Sequence, residues 1–445
     1  MVGTGSEEHL PASSHPNLRF LRLAVILGLL SFLTIFSGEL TSVKLNDVFA
    51  KYSNTTTTAN SLTTKSSSSV PNDTAPRTTY GYRKPQPPYE PIRHVSHTCL
   101  INRNTSSEQI IHIPIAIPHL ILIGAQKSGT SEFQLMADKH INVVTPLSVG
   151  KFEPHFFGSS SVQHSVKSEE RACQSRLKYS RYFNMSMAGM NQMSVVMEKT
   201  PSYMLYGKLP QVIVAVCPWK PKILAILRNP VDRAWSNYRM TINRREVKKD
   251  HKKAFAAVIK SEVEYLISKR ILDNATISFE EFEVSLAANY SERMDELSSP
   301  IVIDQKMTLE DYSRRLFSLG AKKGVLVRGL YAPLLLPWVE HFATDDRLMV
   351  MKFKDVMNAS KIDEALRFAG LNDTSIDDHY DDFIRNRNGK IKGRRDSNTT
   401  DKHHANKGRE MLLDPTIRLY LQFFYQHFNN FLVPLLGREW EGWGE

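Results

Sequence analysis

Cysteine is scarce in this 445-residue chain: there are three, Cys99, Cys173 and Cys217, and no Cys-x-x-Cys pair. Three thiols cannot build a disulfide scaffold or a thiolate zinc module. They allow at most one internal bridge with one thiol left over, or all three are small buried apolar residues. Histidines at metal-ligand spacing are also missing, and His403-His404 in a charged stretch does not supply it, so no metal is expected. No glycine loop has the Lys-Ser/Thr pair after its second glycine that a Walker-type magnesium-nucleotide loop requires, which speaks against a P-loop kinase. Acidic residues are in deficit, leaving a formal net charge of +11. That excess suits a polyanionic partner, whether nucleic acid, an anionic membrane, or a sulfated or phosphorylated ligand. Apolar material is not lacking: 41% of residues are hydrophobic, enough for one large domain with a sizeable core plus accessory segments.

A long apolar run lies near the amino end, from Leu23 to Gly38, extended by Leu18 to Phe20 and interrupted by Arg22. It is a little shorter than the roughly 20 residues that cross about 30 Å of hydrocarbon, and suits a thinner bilayer. Residues 18–38 are therefore expected to form a signal-anchor transmembrane helix behind a short cytoplasmic tail, 1–17. Arg19 and Arg22 favour that orientation, although Lys44 follows closely. A signal peptide cleaved near Ser37-Gly38-Glu39 is the competing reading. Residues 39–112, dominated from Thr41 to Arg93 by serine, threonine, asparagine and proline, cannot bury enough apolar surface to offset the entropy of ordering and are expected to be a disordered stem. Nine Asn-x-Ser/Thr acceptors, at Asn54, Asn72, Asn104, Asn184, Asn274, Asn289, Asn358, Asn372 and Asn398, complete the pattern of a lumenal, glycosylated domain. Nucleic acid then drops out as the reason for the positive charge.

The folded domain is expected over 113–445. Ile113 to Gly124 (IPIAIPHLILIG) is rich in β-branched residues and runs into Gly124-Ala125-Gln126-Lys127-Ser128-Gly129-Thr130-Ser131, after which Phe133, Leu135 and Met136 fall at helical spacing. Strand, glycine-containing loop and helix together wrap backbone N–H groups and a helix N-terminus around an anion. Lys127 and the hydroxyls of Ser128, Thr130 and Ser131 suit a phosphate or a phosphosulfate; the bland alternative is a tight turn with an exposed lysine. A second such element is Lys222 to Asn237 (KILAILRNPVDRAWSN). Ile223 to Leu227 predict a short buried strand with Arg228 at its carboxyl end, and Pro230 suits the first turn of a helix bearing Ser236. Ligands of open parallel sheets bind beyond the carboxyl ends of strands, so Arg228 and Ser236 can converge on one phosphate. The pattern predicts an α/β, P-loop-like three-layer domain with a central parallel sheet flanked by helices.

These two segments resemble the 5′-phosphosulfate loop and 3′-phosphate segment of sulfotransferases that use 3′-phosphoadenosine 5′-phosphosulfate (PAPS). Three further segments narrow the resemblance to the heparan sulfate sulfotransferases, nearest the glucosaminyl 3-O type. Lys151 to Phe157 (KFEPHFF) resembles that family's Glu-x-His-Phe-Phe motif, Glu198 to Tyr203 (EKTPSY) its Glu-Lys-Thr-Pro-x-Tyr segment, and Lys407-Gly408-Arg409 its Lys-Gly-Arg loop. Gly329-Leu330-Tyr331 and Trp338-Val339 echo its Gly-Leu-Tyr…Trp-Leu helix, and Gly437-Arg438 with Trp440 and Trp443 echo its closing segment at altered spacing. The resemblance runs in order from about Leu120 to Trp443.

It implies a carbohydrate sulfotransferase with PAPS as co-substrate, an anionic polysaccharide acceptor and no metal. It places the chain in the Golgi membrane as a single-pass type II protein with a lumenal catalytic domain. The matching positions imply Glu153 as general base, Lys127 at the bridging oxygen of the donor, Lys199 as a second cation facing sulfate and acceptor, and His155 orienting the base or the acceptor. Lys127, Ser128, Gly129, Thr130, Ser131, Arg228 and Ser236 would hold the donor, with Lys407, Gly408 and Arg409 capping its phosphates. Taken alone, Glu198-Lys199 reads as an ordinary surface pair. Departures bear on the acceptor: Gly158 stands where the 3-O enzymes have aspartate, and Arg394 to Asn406 lacks their cysteine pair. A basic cluster at Arg244, Arg245, Lys248, Lys249, Lys252 and Lys253 could grip an anionic glycan, but more often such a run is a solvated helix face. A second, at Arg385, Arg387, Lys390, Lys392, Arg394 and Arg395, is close in sequence to the Lys-Gly-Arg loop and is the favoured acceptor-binding edge. An N-sulfotransferase acting on glucosamine amines and a non-catalytic lumenal glycan-binding protein of the same fold are the alternatives. The oligomeric state is left open.

Overall fold

β3, Leu120–Gly124, and β6, Lys222–Leu227, are continuous apolar runs with every residue buried, the pattern of strands covered on both faces. They pair in parallel at the centre of a five-stranded sheet, completed by β4 (Val143–Val144), β5 (Val195–Lys199) and β7 (Leu348–Lys352) in the order β4-β5-β3-β6-β7, all parallel. A separate antiparallel hairpin joins β1 (His97–Asn102) to β2 (Glu108–Ile113). The computed structural model describes residues 77–89, 97–102, 108–113, 117–138, 140, 142–146, 153–183, 194–243, 251–288, 299–319, 324–371 and 412–444, the two hairpin strands by their backbone.

The period-two alternation of strand side chains splits the sheet into two interfaces. Ile121, Ile123, Val196, Ile223 and Val350 pack with the helices Leu209–Val216 and Tyr331–Phe342. Leu120, Leu122, Met197, Ile226 and Met349 pack with α1 (Thr130–Ala137) and with the helix Ala359–Phe368. The expected three-layer arrangement is therefore present. The long stretch after β6 builds a second, helical core beside it: the helices Pro230–Asn243, His251–Ser268, Phe279–Ala288, Leu309–Ser318 and Pro415–Asn430 meet through Tyr238, Phe255, Ile259, Phe282, Tyr312 and Phe424.

Two expectations shift. Ile113 to Gly124 is not one strand, since Ile113 closes the hairpin and Leu120 opens the sheet. Nor does ordered structure begin at 113: the stem assigned to 39–112 includes residues 77–89, which lie against the body of the α/β domain. Tyr82 is 1% exposed within the main core. Arg77 donates to the carbonyl of Ala343 at 2.9 Å and to Asp346 at 3.0 Å, and Lys84 pairs with Glu364 at 3.1 Å. Aromatic side chains and arginines that meet a carbonyl and a carboxylate outweigh a composition that otherwise favours disorder.

Cys173 is disulfide-bonded while Cys217 is a free, buried thiol, in keeping with one bridge and one thiol left over. The expected anchor, 18–38, lies outside the described residues; among those described, no helix is long and apolar enough to cross a membrane.

Candidate active site

Four parallel strands end at one edge of the sheet and deliver four segments there: the loop after β3, Thr200 to Tyr203 after β5, Arg228 after β6 and Phe353 after β7. In the first loop Lys127 has φ 72° and Gly129 φ 82°, so two residues sit in the left-handed region and turn the backbone around a small concavity. Gly129 is also the N-cap of α1 and offers no side-chain acceptor, which leaves the first-turn N–H groups of that helix directed at the loop's contents. A side chain at Gly129 is excluded by packing, because its Cβ would lie 2.8 Å from Cδ2 of Phe353. Ser128 is fully buried and Thr130 nearly so, whereas Ser131 is exposed at the mouth.

Arg228 leans over the same loop. Its guanidinium lies 4.7 Å from the centre of the Phe353 ring, within reach of the carbonyl of Lys127 at 3.5 Å, while its own carbonyl accepts from the hydroxyl of Tyr331 at 2.7 Å. An aromatic face beneath a guanidinium holds its plane without consuming its N–H donors. Arg328 donates to Oε1 of Gln126 at 2.9 Å and fixes the other shoulder of the loop. Ser236 is half-buried on the helix that follows Arg228.

The second half of the site is a cluster drawn from three segments of the chain. Nζ of Lys199, at the end of β5, lies 3.4 Å from Oε1 of Glu153 and 3.2 Å from Oγ of Ser131 on α1. The other carboxylate oxygen of Glu153 lies 3.4 Å from Nε2 of His155, whose Nδ1 is 3.2 Å from Oγ of Ser202. His155 reaches this place from a left-handed backbone, φ 51°, the kind of local strain that collects at functional sites. Lys199 is 3% exposed and Glu198 0%, which overturns their reading as a surface pair: the strand alternates, and each points into a different buried environment. Glu198 accepts from the hydroxyls of Tyr179 and Thr200. Burial pushes its carboxyl above the ordinary range, against the pull of hydroxyl donors from Tyr179, Tyr203 and Thr200.

The structure thus brings Lys127, Ser128, Gly129, Thr130 and Arg228 to one end of the site, and Glu153, His155, Lys199 and Ser131 to the other. Lys407, Gly408 and Arg409 lie outside the described residues, as do the basic cluster 385–395 and the positions 244–249. Lys252 is engaged by Glu283 at 2.6 Å and Asp414 at 3.3 Å, a tie between helices rather than an open glycan grip. At Gly158 a Cβ would meet nothing closer than 3.5 Å, so packing does not force the loss of the family's aspartate. Phe353 and Arg328 escaped the sequence reading, and Gln126 and Tyr331 appeared there only within motifs, with no role assigned. For Phe353, an aromatic immediately after the strand Leu348–Lys352 was the one available signal, and nothing in the sequence says that its ring lies under Arg228.

Residues 117–411 match the model of the sulfotransferase domain family. Human heparan sulfate glucosamine 3-O-sulfotransferase 6 is 30% identical over 127 residues, 28% of this chain and 31% of its own length. The mouse heparan sulfate glucosamine 3-O-sulfotransferases 3B1 and 3A1 are each 32% identical over 129 residues, 29% of this chain and 28% of theirs. The chain therefore aligns with about three-tenths of the length of these relatives. Among solved structures, a sulfotransferase from Alicyclobacillus acidocaldarius aligns over 72% of this chain and 96% of its own, with a TM-score of 0.39 and 19% identity.

Proposed function

This chain belongs to the sulfotransferase domain family, and from that premise we propose that it transfers a sulfuryl group from PAPS to a hydroxyl of a heparan sulfate-like glycosaminoglycan. The observation that carries the reading is the carboxylate of Glu153 set between a buried lysine and a histidine, beside an anion-shaped loop at the same sheet edge. A protein that only bound anionic glycan would gain nothing from a carboxylate there, since it repels the ligand.

The residues fit a donor with two phosphate groups. The concavity at Lys127 to Gly129 and the uncapped start of α1 suit the phosphosulfate end, and the guanidinium of Arg228, with Ser236 on the following helix, suits the 3′-phosphate. The donor supplies a sulfuryl group already joined to a phosphate that leaves as an anion. Glu153 takes the proton of the acceptor hydroxyl as the new oxygen–sulfur bond forms and the sulfur–oxygen bond to phosphate breaks. Lys199, held by Ser131 and Glu153, would meet the charge that shifts from sulfuryl to leaving group, and Lys127 the charge on the bridging oxygen. His155, anchored by Ser202, holds the second oxygen of Glu153. Positioning and fixed charge carry most of the work, as in phosphoryl transfer.

The same proposal puts the domain in the Golgi lumen as a single-pass type II glycoprotein anchored by 18–38. It rests on the apolar run, the stem composition and the glycosylation acceptors, of which Asn274 is exposed.

The test is transfer of labelled sulfate from PAPS to desulfated and native heparan sulfate, with disaccharide analysis fixing the position modified. Glu153→Gln should lower kcat by about 10²–10⁴-fold while leaving the affinity for 3′,5′-adenosine bisphosphate unchanged. Arg228→Ala should weaken that affinity about tenfold or more, as loss of a charge-assisted contact predicts. No nucleotide binding by the wild type would end the sulfotransferase reading. Nucleotide binding without transfer to any polysaccharide would end the glycan assignment.

A further inference from the structure

Glu198 presents a problem that the transfer mechanism does not solve. It is fully buried beside the candidate base, yet it points away from it, and a carboxyl group in the core is costly to desolvate. Its partners are three hydroxyls. Tyr179 donates to Oε2 and Thr200 donates to Oε1 at 3.0 Å, and the nearby hydroxyl of Tyr203 helps to hold the carboxyl's titration down.

Two of these hydroxyls do something further. A hydroxyl that has committed its single hydrogen keeps two lone pairs for accepting. Oγ1 of Thr200 accepts from the backbone N–H of His155 at 3.4 Å, and the hydroxyl of Tyr203 accepts from the backbone N–H of Phe157 at 3.1 Å. The segment from Glu153 to Phe157 belongs to no helix or strand. Its amides have no ladder of their own and need partners from elsewhere. The carboxyl of Glu198 thus sets the direction of a short relay: it draws the hydroxyl hydrogens inward, and the oxygens face outward to catch the two amides that bracket the turn at His155. Lys199, the next residue along β5, emerges on the other side and meets Glu153 directly at 3.4 Å. One strand end therefore grips the segment through its backbone and pairs with its side chain.

We propose that Glu198 is a positioning residue: through the hydroxyls of Thr200 and Tyr203 it fixes the backbone at His155 and Phe157, and so places the carboxylate of Glu153 against Lys199. This rests on the reading of Glu153 as the base. The rings of Phe157, Tyr179 and Tyr203 pack around the relay, with Phe157 5.0 Å from Tyr179 and 5.8 Å from Tyr203, so a purely structural role for Glu198 would reside in that aromatic packing.

The two roles separate experimentally. Thr200→Val and Tyr203→Phe each delete one accepting oxygen and keep the shape. Each should lower kcat by about 10–100-fold, the size expected when a reacting group is misplaced by ångström-scale amounts, with KM for PAPS and adenosine bisphosphate affinity within about twofold of wild type. Backbone hydrogen exchange across 153–159, followed by mass spectrometry, should accelerate about tenfold or more in both. Thr200→Ser keeps the hydroxyl and should recover wild-type exchange and kcat to within about threefold. Glu198→Gln places an amide donor against hydroxyls that also donate, and should behave like the pair; if it does not fold, the two hydroxyl variants decide. Wild-type kcat and wild-type exchange in Thr200→Val and Tyr203→Phe would overturn the inference. Should the wild type transfer no sulfate, the proposed function fails on its own account. The exchange measurement still decides the relay: accelerated exchange upholds it and unchanged exchange overturns it.

Discussion

The phenyl ring of Phe353 touches two groups that come from different segments of the site. One face supports the guanidinium of Arg228 and an edge abuts Gly129, whose backbone already stands at φ 82°. Gly129→Ala would place Cβ 2.8 Å from Cδ2 of Phe353 and force a side chain into the left-handed region. The expected cost is about 1–3 kcal/mol of stability, measurable by denaturant unfolding. Displacing the ring should also unseat Arg228, so calorimetry should find adenosine bisphosphate bound about tenfold or more weakly, as for loss of the arginine contact itself. Because both changes act on one ring, Gly129→Ala and Arg228→Ala should be non-additive in a double-mutant cycle.

At the scale of elements, what could be read from the sequence was what burial on both faces imposes on composition. The runs LILIG and KILAIL are short, apolar throughout but for Lys222 and buried at every residue, the composition of parallel strands covered on both faces. The segments that follow them bring Lys127, Ser128 and Arg228 to one edge of the sheet. The environment of Glu198-Lys199 was hidden, because alternation separates two neighbours but does not say that both sides are closed. Tyr80, Tyr82 and Tyr89 were hidden for the opposite reason: a few aromatics were outvoted by the serine, threonine and proline around them.

The helix Pro415–Asn430 offers a test at this scale. Asp414 caps it through Thr416 N–H at 3.0 Å, and near its end His427 packs against Tyr312, Phe428 and Phe431. Burial pushes the His427 imidazole down to about 4, below its unfolded value of about 6.5. The unfolded chain therefore binds a proton that the folded chain refuses. The neutral ring's contribution is intact above about pH 6.5 and lost as pH falls from there toward about 4. His427→Gln should flatten that part of the stability–pH curve, as thermal unfolding at pH 7 and pH 5 would register.

Across the whole molecule, residues 77–89 behave as part of the domain rather than as its leash. Tyr82→Ala should destabilise the fold by about 3–5 kcal/mol, the range for emptying a buried aromatic site, and a chain begun at residue 113 should lose at least as much in calorimetry. Where this strap makes its contacts matters as much as that it makes them. Arg77 and Arg83 both hold Asp346, just before β7 begins, and Tyr89 packs on Phe368. Lys222, the first residue of β6, lies over that same ring. All of this is at the amino ends of the parallel strands, a strand's length of about 17 Å from the edge where the candidate chemistry collects. A chain begun at residue 77 and immobilised through that end, on a resin or behind a fusion partner, would accordingly be gripped from the rear. Its mouth would then face the bulk solution, open to a long polymer that need not first pass the tether.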